Sequence, residues 1–138
     1  MQYKRIMCLD YGDVRIGIAF SDLLQTIASP YDTYTRVNLD ADLNFFDNLA
    51  KKQEVEKVVI GLPYNMDGSV GERIIVTKEF GEKLSSKLNL PVEFVDERLS
   101  SVEAEDILAE AHVPAIKRKG LIDKIAASII LQSYLNSK

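Results

Sequence analysis

Two periodicities alternate along this chain. Ile6-Met7-Cys8-Leu9 is a short apolar run with strand character, and residues 4–10 are predicted as a first strand. Tyr11-Gly12-Asp13 reads as a turn. Arg15-Ile16-Gly17-Ile18-Ala19-Phe20 returns as a second strand, so the chain opens on a hairpin. A third strand is expected around 26–35, where Pro30 demands a sheet edge or a bend. The period then changes. Leu43, Phe46, Leu49 and Ala50 share one face of a helix over 40–53, with Asp40 as its expected N-cap. Val58-Val59-Ile60 marks a buried strand of parallel type within 55–62. A long helix over about 70–88 carries Val76, Phe80, Leu84 and Leu88 along one stripe. Pro91 restarts the chain as a strand over 92–95, and Ser100 or Ser101 caps a helix through Ala111. A basic loop over 112–119, containing Pro114, leads to a last helix at about 121–135.

A hairpin-rich start followed by alternating strands and helices predicts an α/β fold, a mixed five-stranded sheet with helices on both faces. In such sheets, sites form beyond the carboxyl ends of the parallel strands. No repeat, low-complexity tract or linker divides the sequence, so residues 1–138 are expected to form one domain.

Composition narrows the setting. No apolar run approaches the roughly 20 residues of a membrane span, and Met1–Arg5 lead directly into a strand with no signal-peptide pattern. The single cysteine, Cys8, cannot form an internal disulfide and is expected as a buried small hydrophobe. These features fit a reducing cytoplasm. A net charge of −4 gives no global sign of nucleic-acid binding, so such binding must be local. The strongest basic cluster is Lys117-Arg118-Lys119, with Lys124 close behind; the bland alternative for it is a solvated loop. Acids concentrate elsewhere, at Asp40, Asp42, Asp47, Glu54 and Glu56.

Three further acids stand where acids are costly. Asp10 ends the first strand, and Glu97 ends the strand that begins at Val92. Asp123 shares a helix face with Ala126, Ala127, Ile130 and Tyr134. A carboxylate on an apolar stripe is expensive to desolvate unless a cation meets it. Two like charges about 4 Å apart repel by about 4 kcal/mol at an effective dielectric near 20, and a divalent cation reverses that repulsion. With one histidine and one cysteine, the chain offers oxygen ligands, which favour Mg²⁺ or Mn²⁺ over zinc. A carboxylate-held metal site suits in-line displacement at phosphorus. Each acid also has an ordinary reading. Asp10 could serve its own turn, Asp96 and Glu97 point to opposite faces so that one at most enters a site, and Asp123 could favour a helix dipole by about 0.5 kcal/mol. Gly17 could let a phosphate or metal approach the backbone, and Ala126-Ala127 would let the last helix lie close to the sheet. Gly61, Gly68 and Gly71 bracket a loop feeding a helix N-terminus, where Arg73 would add a phosphate contact and Asn65 a base or sugar contact. His112 is expected to serve only the end of a helix.

Four motifs then carry a resemblance. Leu9-Asp10-Tyr11-Gly12 with Arg15–Ala19, Gly61-Leu62-Pro63 with Asn65–Gly68, Asp96–Ser101, and Lys117–Lys119 with Ile122-Asp123 and Ala126-Ala127 stand in the order and spacing of the YqgF/RuvX family. The chain resembles that family over essentially its whole length. The resemblance implies a ribonuclease H-like fold and a nuclease, either a Holliday-junction resolvase homologue or the nuclease maturing the 5′ end of pre-16S ribosomal RNA. It implies Asp10, Glu97 and Asp123 as catalytic metal ligands for Mg²⁺ or Mn²⁺. Asn65, Arg73, Arg98, Lys117, Arg118 and Lys119 would contact the nucleic acid. Ribosomal or transcription machinery are further partners it suggests, with the chain as monomer or homodimer and no membrane association. The chain departs from the family pattern at Asp13-Val14, where a lysine is often found, and at Ile74-Ile75-Val76, an apolar stretch that could serve a dimer contact. A non-catalytic nucleic-acid-binding module and an actin-like phosphotransferase are the rival classes; the second needs a repeat of the domain that 138 residues do not supply.

Overall fold

Two seven-residue strands, mostly apolar, form the arms of the opening hairpin and build the centre of the molecule. In the computed structural model, β1 (Arg5–Tyr11) and β2 (Arg15–Ser21) pair antiparallel, with Asp10 opposite Gly17. The structure describes residues 4–64, 67, 71–97 and 100–137, with the backbone alone for 100–103, 105, 115, 116, 119 and 120. β3 (Ala28–Thr35) pairs antiparallel with β2 and forms one edge. Its register shifts where Ile18 faces Asp32 and Ala19 faces Pro30, so the proline falls at an irregularity on an edge, where its missing N–H costs least. β4 (Val55–Leu62) and β5 (Val92–Asp96) continue the sheet in parallel on the other side of β1, giving the order β3-β2-β1-β4-β5. The expected mixed five-stranded sheet with helices on both faces is what the chain forms.

One face is covered by α1 (Leu39–Lys52) and α2 (Glu72–Leu88). Phe46, Leu49, Ala50, Phe80 and Leu84 pack there against Met7, Leu9, Tyr11, Val58 and Ile60. The other face is covered by α4 (Ala115–Asn136), with α3 (Ser100–Glu110) packed on α4. Ala127, Ile130, Leu131 and Tyr134 meet Ile6, Cys8, Ala19 and Val59 in this second core. Burial pushes the Cys8 thiol well above its usual range, which leaves it an inert small hydrophobe.

Several expectations are corrected. Asn38, not Asp40, caps α1, its side chain accepting from the Ala41 N–H at 2.9 Å. Asp40 is in the first turn, where a negative charge still meets the helix dipole favourably. On α2 the buried stripe is Ile74, Thr77, Phe80, Gly81 and Leu84, while Val76 is exposed. The stretch predicted as a loop over 112–119 instead turns at His112, in the left-handed region at φ 60°, and enters α4 at Ala115 with Pro114 as its N-cap. Asp123 therefore sits two turns inside α4, beyond the reach of a helix-end effect. Among the described residues, no helix is long and apolar enough to cross a membrane.

Candidate active site

Strand alternation places Asp10 on the α4 face, in step with Ile6 and Cys8. Its two strand neighbours there carry no side chain. Gly17 is its partner on β2, and the pairing of Leu9 with Ile60 sets Gly61 beside it on β4. Both spaces are filled. A Cβ on Gly17 would stand 2.0 Å from the Asp123 carbonyl oxygen, and one on Gly61 would stand 2.8 Å from both Cβ and Oε2 of Glu97. Gly17 thus admits the backbone of α4 rather than a phosphate or a metal, as its place in the hairpin had suggested. Ala126 and Ala127, fully buried one turn on, keep the helix at that height.

Asp10 and Glu97 meet in this cleft. Burial raises the Glu97 carboxyl to about 10, and its hydrogen bond to Asp10 and the Asp10 charge push the same way. Asp10 is also raised, first by burial and then by the charge of Asp123, while the bond from Glu97 and the charge of Arg73 pull it down. The assignment that fits both shifts is a protonated Glu97 donating to an ionised Asp10, two carboxyls holding one proton. Asp96, next to Glu97, is exposed, so of the two neighbours only Glu97 turns into the cleft.

Asp123 is near enough for its charge to act on Asp10, but its carboxylate is engaged elsewhere. Arg15 Nε donates to Asp123 Oδ2 at 2.8 Å. Among the described residues, no three Asp, Glu, His or Cys side chains stand together closely enough to hold a metal ion. The structure therefore brings two of the three expected acids into contact and ties the third to a cation beside them.

Arg73 projects from the first turn of α2 and its charge acts on both Asp10 and Glu97. Its guanidinium donates to Asp13 Oδ2 at 2.7 Å and to the Tyr11 carbonyl at 3.4 Å. A cleft of about 190 Å³, lined by Tyr11, Asp13, Glu72, Arg73 and Val76, opens there. Lys117 is exposed on α4, whereas Arg118 is partly buried and donates to the Val113 carbonyl at 2.7 Å, helping to hold the α3–α4 turn. Asn65 and Arg98 lie outside the described residues, as does the Lys119 side chain.

Two arginines carry roles that sequence reasoning did not assign. Arg15 is one. Arg36 is the other: Nε pairs with Asp42 Oδ2 at 3.0 Å, and Nη1 donates to the Tyr11 hydroxyl at 2.6 Å. Asp42, grouped with the other acids of the chain's acidic stretches, is fully buried. Burial works against its charge, but the Val37 N–H, the Tyr34 hydroxyl and Arg36 together hold its carboxyl below the usual range. This network locks the entry to α1 against Tyr11, next to Asp10. The signal for it was an Arg between a strand and a helix with an acid in the helix's first turn, a pattern too common to be decisive.

The donor set fits a hard divalent cation in part. All groups are carboxyl oxygens, the pair is largely withdrawn from solvent with Glu97 Oε2 fully covered, and the proton that Glu97 retains marks a place where positive charge is needed. Asp10 and Glu97 suit such a cation as ligands, and Asp123 joins them only if it leaves Arg15.

Comparison with known proteins places this arrangement in context. The family model described as "RuvX: Holliday junction resolvase" matches residues 4–137. A protein of Halothermothrix orenii named as a candidate pre-16S rRNA nuclease is 52% identical over 132 residues, covering 96% of this chain and 94% of that one. A Syntrophomonas wolfei protein of the same name is 48% identical with the same coverage. Among solved structures, Thermus thermophilus RuvC with a Holliday junction substrate matches at a TM-score of 0.59 and 10% identity, covering 98% of this chain and 95% of that one. A fowlpox virus resolvase with Holliday junction DNA matches at 0.56 and 13%, covering 96% and 97%. At such identities the likeness is one of fold, the RuvC-like form of the ribonuclease H-like sheet.

Proposed function

The chain belongs to the RuvX family, and from that premise we propose that it is a divalent-cation-dependent endonuclease that hydrolyses phosphodiesters of structured RNA, with precursor 16S ribosomal RNA as its substrate. Such a substrate puts its work in the cytoplasm, at ribosome assembly. The observation that carries this reading is the partly buried Asp10–Glu97 pair at the carboxyl ends of β1 and β5. Two carboxyls confined to one proton are a costly arrangement for stability alone, and such pairs are a mark of catalytic sites.

Mg²⁺ or Mn²⁺ would be held by Asp10 and Glu97, with Asp123 as the third ligand. When bound, the cation activates the attacking water and offsets charge on the leaving oxygen. The chain's own residues do the rest. Glu97 must give up its proton before it can ligate, so occupation of the site is coupled to proton release. Arg73 offers a guanidinium fork to a substrate phosphate at the cleft mouth, and Lys117 adds an exposed positive charge on α4.

Cleavage of a precursor 16S RNA fragment and of a synthetic four-way DNA junction, each with Mn²⁺, Mg²⁺ or chelator, tests the proposal. The description of the matching family model favours the junction as a second substrate. RNA cleavage that requires the cation and is lost in Asp10→Asn, with the melting profile retained, supports the reading. Cleavage of the junction alone moves the activity to branched DNA, and inertness toward both under all conditions leaves a binding module.

A further inference from the structure

Arg15 and Gly17 lie two residues apart on β2 and so face α4 together. Gly17 sets the height of the helix, because the Asp123 carbonyl fills the space over it. Arg15 sets the direction of the side chain, because its Nε takes Asp123 Oδ2 at 2.8 Å. Both groups are largely sheltered, with side-chain exposures of 31% and 23%. The carboxylate is thus held next to Asp10 without entering the pair, and its charge still reaches Asp10.

We propose that Arg15 is a positioning residue that keeps the Asp123 carboxylate in reserve beside the Asp10–Glu97 pair and surrenders it to a divalent cation. The proposal rests on the cation-dependent reading above. It follows from competition for one group. Without the cation, the ionised Asp10 and Asp123 would repel at the same cleft, and Arg15 supplies the compensating charge for Asp123. With the cation, ligation by Asp123 requires that its bond to Arg15 be broken. Arg15 therefore stabilises the empty cleft and weakens cation affinity, an arrangement that leaves the fold intact whether or not the site is filled.

Calorimetric titration of Mn²⁺ into the full chain, with no nucleic acid, reads this directly. Arg15→Gln should bind Mn²⁺ about two- to fivefold more tightly than the parent, the scale of a partly exposed ion pair. Arg15→Lys should shift the same way by less, and it serves as the readout if the glutamine variant does not fold. In an Asp123→Asn background the effect of Arg15→Gln should vanish. Unchanged or weaker binding in both Arg15 variants overturns the proposal. Equal tightening with and without Asp123 also overturns it, since that outcome is general charge removal. If the parent binds no Mn²⁺, the cation-dependent reading falls and takes this inference with it, whereas a parent that binds and variants that do not differ sinks the inference alone.

Discussion

Gly17 and Asp123 touch through their backbones: a Cβ at residue 17 would lie 2.0 Å from the Asp123 carbonyl oxygen and 2.8 Å from the Lys124 nitrogen. Neither atom is the far end of a flexible side chain, so the sheet and α4 would have to separate to admit even one methyl group. Gly17→Ala should cost about 3 kcal/mol, at the upper end of overpacking penalties. It should also lift Asp123 away from Arg15 and Asp10. Urea unfolding of the variant should show a lower midpoint with an unchanged slope, and cleavage should be lost even at temperatures where the variant stays folded. A variant as stable and as active as the parent would mean that α4 does not rest on β2 in this way.

Much of this arrangement is visible in the residue pattern, and the exceptions share a physical cause. Asp10, Glu97 and the apolar face of Asp123 stand out because an acid at the end of a buried element has few ordinary reasons to be there. The short apolar runs and the edge proline mark the strands for similar reasons. What the pattern conceals is anything decided by a partner distant in the chain. Arg15 and Asp123 are separated by most of the sequence, and only the packing of α4 on β2 joins them. Asp42 looks like a surface acid because the groups that satisfy it, Tyr34, Arg36 and Val37, come from outside its helix. Ile74, Ile75 and Val76 are consecutive, so a shift of one residue decides which of them is buried, and local periodicity alone placed Val76 inward. Asn38 and Asp40 are both competent caps, and the winner depends on where the backbone changes from extended to helical.

The carboxyl pair makes stability depend on pH in a defined sense. Burial, reinforced by Asp10, raises the Glu97 carboxyl from its ordinary 4.5 to about 10. The folded chain therefore holds a proton that the unfolded chain has released, and this contribution is complete below the ordinary glutamate range and lost as pH rises toward about 10. Thermal melts without divalent cation should show stability declining from pH 5 to pH 9. Glu97→Gln, which cannot lose a proton, should flatten that decline and melt higher than the parent at pH 9. Mn²⁺ should stabilise the parent more at pH 9 than at pH 6, because the proton that the cation displaces from Glu97 is released more readily at the higher pH. A parent profile that is flat over this range, or one that Glu97→Gln leaves unchanged, would contradict the shared proton.

Arg73 faces a rival for the phosphate it is expected to bind. Its Nη1 lies 2.7 Å from Asp13 Oδ2, and Asp13 is largely exposed in the β1–β2 turn. A nucleic-acid phosphate would have to displace that carboxylate, and Asp13 also repels the incoming backbone. An exposed pair contributes between nothing and about 1 kcal/mol, so Asp13→Asn should tighten RNA binding by at most about fivefold. Arg73→Ala should weaken it and reduce the slope of log affinity against log salt by about one phosphate contact. In the Arg73→Ala background, Asp13→Asn should retain only its long-range charge effect, a smaller gain that disappears above about 0.3 M salt. Fluorescence anisotropy with a labelled precursor RNA, in the presence of Ca²⁺ or chelator to prevent cutting, measures all three. Equal tightening by Asp13→Asn with and without Arg73 would remove the competition and leave Asp13 as a mere repulsive charge.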